Sequence, residues 1–308
     1  MKSYIIKRLF QSLIVVWLVS IVIFTTMHLT PGDPVTILLG QRDVSAEQMD
    51  KIRAKWGLDQ PIVTQYLVWA GNAFQGDFGK SIAYNGVPVI DLILHRVPNT
   101  ALLNLYAFLL AIIVAIPAGI LSAVRQYSFF DYATSGFAIF AMSLPNFWLA
   151  LMLLIVFSVW LGWLPTFGIQ NWKSYILPCV SLAAMNAAIL TRFTRSKMLE
   201  EQKQDYVKTA RSKGVVEKNV IRKHVIRNAA IPIVTLIGYR FAYILSGTVV
   251  IEMVFAWPGV GRLLVESIFR RDYLVVQAIT LVAAVIIVLV NLITDISYTF
   301  IDPRVKYE

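Results

Sequence analysis

Residues 175–190 read YILPCVSLAAMNAAIL, and residues 191–228 continue TRFTRSKMLEEQKQDYVKTARSKGVVEKNVIRKHVIRN. The first part is an uncharged apolar run. The second carries eleven Lys/Arg against four acids (Glu200, Glu201, Asp205, Glu217), so it supplies +7 of the chain's net +10. An apolar run feeding a strongly basic segment is the pattern of a membrane span that ends on the cytoplasmic side, where Lys and Arg accumulate.

Working outward, five further runs have the length and apolarity of membrane spans: Leu9–Leu29, Asn99–Val124, Tyr132–Leu161, Ala229–Val254 and Leu274–Ile301. A helix crossing a ~30 Å hydrocarbon core needs about 20 mostly apolar residues. The expectation is an all-α integral membrane protein with six transmembrane helices. Pro145, Pro178 and Pro232 fall inside three of the runs; proline is tolerated there because neighbouring groups satisfy the freed carbonyl. The run containing Pro145-Asn146 reads as one kinked or tilted span. Six crossings place both termini on one face. Lys2, Lys7, Arg8 and Arg125 join the basic segment on that face, making it cytoplasmic. The connection from residue 31 to 98 holds six basic and seven acidic residues and shows no such bias.

Composition agrees. Of 308 residues 57% are apolar and only 15% charged, with a mean hydropathy of +0.66, against roughly 25% charged in ordinary soluble domains. This excludes a disordered chain and argues against a soluble enzyme. One cysteine, Cys179, excludes a disulfide framework, and His28, His95 and His224 are too scattered for a metal set. The cationic excess sits where topology demands it, so it does not point to nucleic acid. The first run lacks a small-x-small cleavage site before Pro31 and reads as a retained helix.

Motifs of catalysis are absent. There is no His-Glu-x-x-His and no Gly-x-Ser-x-Gly. Gly79-Lys80-Ser81 has Phe74 where a phosphate-binding loop needs glycine, and Gly259-Val260-Gly261 lacks the third glycine of a dinucleotide fingerprint. The chain is expected not to be an enzyme and to hold no cofactor or metal. Intramembrane charges mark functional or structural polar networks. Arg240 and Asp295 stand at similar depths from the cytoplasmic side, which predicts a buried pair or shared network.

The basic segment itself reads as two short amphipathic helices around a break at Gly214, the first over about residues 202–213. Val207, Val215, Val216, Val220, Ile221, Val225 and Ile226 are interleaved with the charges. Such a stretch is too polar to insert and too apolar to stay solvated, so it should dock, either on a partner or on the lipid surface. The outer connection predicts two helices: Asp43–Trp56, ended by Gly57, and Pro61–Phe74, with Tyr66, Leu67, Trp69 and Ala70 on its apolar side.

Lys208-Thr209-Ala210 followed by Gly214 resembles the Glu-Ala-Ala-x-x-x-Gly loop of binding-protein-dependent ABC importer permeases. The branch for dipeptides, oligopeptides and nickel matches more closely, through Asp205-Tyr206-Val207, Thr209-Ala210-Arg211, Lys213-Gly214, His224, Arg227-Asn228-Ala229 and Ile231-Pro232. Landmarks along the chain agree: Pro31-Gly32-Asp33-Pro34, Gly57-Leu58-Asp59-Gln60-Pro61, Gly76-Asp77-Phe78-Gly79, Phe255 with Pro258-Gly259-Val260-Gly261, then Asp295, Tyr298 and Asp302-Pro303-Arg304. Lys208-Thr209 replaces the Glu-Ala of the general motif, so no salt bridge from that glutamate carries over.

The resemblance implies a type I ABC importer permease fold in a bacterial inner membrane. It divides the chain into an N-terminal helix (1–30), an extracytoplasmic cap (31–98), a five-helix core (99–301) containing the coupling segment 195–231, and a cytoplasmic tail (302–308). It implies a second homologous permease subunit, two ATPase subunits that carry ATP and Mg, and an external substrate-binding protein. Coupling to the ATPase falls to Asp205, Tyr206, Lys208, Thr209, Ala210, Arg211, Lys213 and Gly214. A translocation path is expected to use Asn104, Ser143, Asn146, Asn186, Thr235, Tyr239, Tyr243 and Ser246. Cargo is expected to be di- or oligopeptide, with chelated nickel, glutathione, or an uncoupled channel or scaffold as the alternatives.

Overall fold

The computed structural model describes residues 2–29, 59–242 and 248–301. The chain forms two compact units, residues 1–98 with 263–308 and residues 99–262. The elements in order are α1 (Lys2–Leu29), α2 (Ile62–Phe74), α3 (Val89–Val124), α4 (Phe129–Ser143), α5 (Asn146–Leu154), α6 (Ile176–Gln202), α7 (Asp205–Ser212), α8 (Ile226–Ala242), α9 (Thr248–Val254), α10 (Val260–Phe269) and α11 (Tyr273–Ile301). Among the described residues, four helices are long and apolar enough to cross a membrane, or five if the bent pair α4–α5 counts as one span. Within the expected span Ala229–Val254, α8 is described as far as Ala242 and α9 from Thr248; residues 243–247 lie outside the described residues. Six crossings and cytoplasmic termini therefore remain a reading of the sequence.

The run around Pro145 is bent far more sharply than a kink, whether its halves make one broken span or two pieces. Its halves meet at 103°. Proline disfavours the helical conformation for the residue before it; Leu144 is extended (φ −88°, ψ 132°), and Pro145 follows with ψ 133°. Two successive extended residues turn the chain rather than kink it. Past α5 the backbone widens into a π-helical turn at Ile155–Trp160.

In the unit of residues 99–262, Leu103, Ala107, Ala150, Leu154, Leu182, Ile251 and Phe255 pack around the fully buried Trp257. The Tyr175 ring meets Trp257 edge-on at 4.6 Å. Cys179 is buried in the same cluster. Asp131, in the first turn of α4, is 2% exposed and bound bidentately by Arg195 of α6 at 2.6 and 2.7 Å. Its carboxylate also accepts from Ser122 Oγ and from the Tyr127 backbone N–H at 3.0 Å. The chain reversal between α3 and α4 is thereby pinned to α6.

In the other unit, α11 packs along α1, and α2 touches α1 through Tyr66 and Trp69. Both rings lie against Phe24, with centroids at 5.5 and 5.6 Å, and the Tyr66 hydroxyl shares a 2.8 Å hydrogen bond with Ser20. α2 begins within one residue of the expected Pro61 start. Leu67, expected on its apolar side, is 63% exposed, whereas Tyr66 and Trp69 meet Phe24 of α1. The expected helix Asp43–Trp56 lies outside the described residues. Residues 80–88 are tied to the start of α11: the buried Asp272 carboxylate accepts from Ser81 Oγ and from the Ala83 N–H at 3.0 Å. Tyr84 donates to Glu266 at 3.2 Å, and the Arg270 guanidinium covers its ring at 5.1 Å.

Each buried donor stripped of its acceptor costs about 1–3 kcal/mol. Asp272→Ala should release residues 80–88 while leaving the long helices intact. Hydrogen exchange should show faster exchange at Ala83 and Tyr84 with unchanged helical circular dichroism.

Candidate functional site

The coupling segment begins where α6 outruns its apolar stretch and carries the chain to Gln202, a helix of about 40 Å at 1.5 Å per residue. Lys203 and Gln204 turn the chain into α7. The sequence expected that helix over about residues 202–213; it is shorter because residue 202 still belongs to α6, and Gln204 (ψ 148°) caps α7 in extended conformation.

α7 has two faces. Val207 and Ala210 point inward, 0% and 7% exposed, and join Met198, Val220, Val225, Ala229, Ile233 and Ala123 in one apolar cluster. Asp205, Lys208, Thr209, Arg211, Ser212 and Lys213 face outward, and Tyr206 is 39% exposed. Of the eight residues expected to meet an ATPase, Ala210 is thus turned into the chain's own core, and seven are presented at the surface.

Gly214 ends the helix at φ +75°. Its N–H donates to the Arg211 carbonyl at 2.9 Å, and the Val215 N–H to the Ala210 carbonyl at 3.3 Å. This paired bonding is the Schellman arrangement, which requires left-handed backbone at the glycine. No atom lies within 4 Å of a Cβ added there, so the requirement is conformational and not steric. Beyond it, Val216 stands 68% exposed at the tip. Arg211 then clasps Glu217 bidentately at 2.7 and 3.0 Å across the turn. Lys208 holds Asp205 at 2.9 Å, and Tyr206 donates to the Glu201 carboxylate. The chain re-enters through a π-helical turn, Val220–Val225, whose Val220 and Val225 close the cluster, and continues as α8.

The Arg211 hydrogen bonds hold the Glu217 carboxyl below its ordinary 4.5. A depressed carboxylate stabilises the fold above its unfolded pKa and loses that contribution as pH falls through the folded value. The clasp should stay closed through the neutral range and open only below pH 4.5. Because both partners are well exposed, its loss should cost under about 1 kcal/mol. A pH titration of the Glu217 carboxyl by NMR, with Arg211→Gln returning it toward 4.5, checks this.

The expected path residues divide differently. Asn104, Ser143, Asn186 and Thr235 each donate to the carbonyl four residues earlier in their own helix, at 2.8, 2.9, 3.2 and 3.0 Å. Asn104 is buried. Ser143 and Asn146 flank the 103° bend, on the outgoing and incoming helix. Tyr239 is 47% exposed. Tyr243 and Ser246 lie outside the described residues. Arg240 has a buried Nε with no hydrogen-bond partner among the described residues; the side chain of Asp295 lies outside them, so the expected pair is not placed.

The sequence reading passed over Glu252. It is fully buried, and its carboxylate accepts from Thr100 Oγ1 at 2.7 Å and from the Arg262 N–H at 2.9 Å. Thr100 Oγ1 in turn accepts from the Val260 N–H at 2.9 Å. Nearby, Asn99 donates to the Pro258 carbonyl and Trp257 Nε1 to the Asn99 carbonyl, at 2.9 and 3.1 Å. Helix N-termini carry unsatisfied N–H groups and partial positive charge, and Thr100 and Glu252 satisfy two of those of α10, at Val260 and Arg262. The residues Pro258-Gly259-Val260-Gly261 are the wall of this lock. A Cβ on Gly259 would lie 2.4 Å from the Glu252 carboxylate. A lone acid in the apolar stretch of α9 was the available signal. Gly259→Ala should destabilise by about 1–3 kcal/mol through overpacking, visible as a lowered Tm; an unchanged Tm would contradict the lock.

Comparison with solved structures places the chain in a class. Over 68% of its length it is similar to an amino acid ABC transporter with histidines (TM-score 0.53, 16% identity, 94% of that chain). The inward-facing MetNI methionine ABC transporter is similar over the same share (TM-score 0.56, 17% identity, 96% of that chain). At these identities the likeness concerns the fold, which is that of an ABC transporter permease, all-α and type I. The chain belongs to the family described as binding-protein-dependent transport system inner membrane component, which matches residues 115–307; the corresponding N-terminal family matches residues 1–104. It is 43% identical to the oligopeptide transport system permease protein AppB of Bacillus subtilis (strain 168) and 41% identical to the glutathione transport system permease protein GsiC of Escherichia coli (strain K12), each alignment covering all of both chains. The protein is accordingly a multi-pass inner-membrane permease subunit of an ABC importer, which implies ATPase and substrate-binding-protein partners.

Proposed function

We propose that this chain forms half of the translocation path for di- and oligopeptides, paired with a second homologous permease subunit. Two ATPase subunits below it bind ATP and Mg and perform the hydrolysis; the chain itself carries no nucleotide, metal or cofactor. The observation that carries this reading is the construction of α7. Its inner face is fastened into an apolar cluster with α6 and α8, while its outer face offers charge and an exposed valine tip to a partner. A force applied to such an element moves the helices behind it as a body. A passive channel or scaffold has no use for it.

The relatives' names support a peptide cargo: one names oligopeptide and the other glutathione, itself a small peptide. Peptides of varied side chain share only their backbone, and a tolerant path offers hydrogen bonding without fixed charge. Asn104, Ser143, Asn146, Asn186, Thr235, Tyr239, Tyr243 and Ser246 supply that kind of lining. Asp205, Tyr206, Lys208, Thr209, Arg211, Lys213 and Gly214 make the ATPase contact, and Ala210 supports it from within.

The test is ATP hydrolysis by the assembled transporter in lipid, with peptide-loaded binding protein. Gly214→Asn keeps the left-handed turn and should retain stimulation. Gly214→Pro fixes φ near −65° and removes the N–H, so stimulation should fall at least about tenfold, equivalent to ~1.4 kcal/mol of coupling. Equal stimulation in both variants would refute the lever.

A further inference from the structure

A cavity of about 540 Å³ lies between α1, the end of α10 and the first turns of α11. Its lining combines the apolar Val22, Ile23 and Val276 with the polar Ser267, Arg271 and Gln277, and with Thr26 and Thr280. Ser267 is fully buried, and its hydroxyl has no hydrogen-bond partner among the described residues. Gln277 is 5% exposed. Buried hydroxyls are nearly always bonded, so a lone one in the wall of a roomy cavity marks where a ligand oxygen belongs.

Charge lies at one edge. Arg271 lines the cavity from the turn between α10 and α11, with φ +54°. Left-handed backbone favours glycine or asparagine, yet an arginine stands there, with Arg270 beside it. The flank of α1 leading to the site is exposed and apolar: Trp17, Leu18 and Val22 are 56%, 50% and 62% exposed. Such a surface on a membrane-spanning helix faces hydrocarbon or another protein. The site therefore brings a guanidinium, a hydroxyl and an amide together with aliphatic side chains, beside helices long and apolar enough to cross the bilayer.

We propose that this cavity binds one phospholipid of the surrounding bilayer. Arg271 pairs with its phosphate, Ser267 and Gln277 bond to the glycerol-ester oxygens, and an acyl chain lies along Val22, Ile23 and Val276. The cavity offers a guanidinium, a hydroxyl, an amide and aliphatic side chains together, the groups that the phosphate, ester oxygens and acyl chain of a phospholipid would meet. The proposal rests on the membrane position of α1 and α11 and is independent of the cargo.

Native mass spectrometry of the full chain in detergent, with added phosphatidylglycerol, phosphatidylethanolamine, diacylglycerol or inorganic phosphate, tests it. Both phospholipids should be retained at one per chain, and diacylglycerol far less. Arg271→Asn preserves the left-handed turn and should lower retention of both phospholipids about fivefold, through loss of one charge-assisted bond to phosphate. Val276→Trp fills the cavity and should displace every lipid; circular dichroism checks its fold, and Arg271→Asn decides the matter if it fails. Equal retention of diacylglycerol and phospholipid, displacement by inorganic phosphate alone, or unchanged retention in Arg271→Asn would overturn the proposal.

Discussion

A helix that starts inside a membrane protein exposes N–H groups that no water can reach, and each left unsatisfied there costs several kcal/mol. Two buried carboxylates help meet that demand: Glu252 accepts from the Arg262 N–H at the start of α10, and Asp272 from the Val275 N–H at the start of α11. A third, Asp131, accepts from the Tyr127 N–H in the turn before α4, whose own first turn is capped by Ser128. Each also reaches a hydroxyl on a different segment, namely Ser122, Thr100 and Ser81. The same group that ends a helix dipole thereby fixes where the helix sits. Asp131 goes further: Arg195 neutralises it, so the approach of α4 to α6 depends on a fully paired charge.

Away from those anchors, the coupling segment is held by a different force. Its cluster is aliphatic, built from Met198, Val207, Val220, Val225 and Ile233, and its surface ion pairs add little because they are solvated. Burial fastens the lever, and charge is left free for recognition. Gly214 permits this separation by reversing the chain within the Schellman bonds, so Val220 returns to the same cluster that Val207 and Ala210 entered.

Much of this was legible in the sequence. Apolar runs predicted α1, α3, α6 and α11; Pro61 marked the start of α2, and Gly214 marked the break in the basic segment, whereas Val207, Val220 and Val225, read as a surface for a partner or lipid, close on the chain's own α6 and α8. What escaped depended on distant partners. Glu252 meets Thr100 and Asp272 meets Ser81, and no periodicity links residues more than 150 positions apart. The bend at Pro145 was visible as a proline but not as 103°, because its size is set by two consecutive extended residues. The inward turn of Ala210 follows from the pitch of α7 against α6, which spacing alone does not give. Sequence thus reveals which faces are apolar, and only the packed structure reveals which polar groups close their ends.

Cys179 carries a practical corollary. It is the chain's one thiol and lies buried in the cluster around Trp257, with its sulfur 3.8 Å from the Leu103 carbonyl. The folded surface is therefore mute to thiol reagents. A cysteine introduced on the outer face of α7 would be the one reactive position, so a single fluorophore or spin label could follow the lever through a transport cycle without first stripping the native residue from the core.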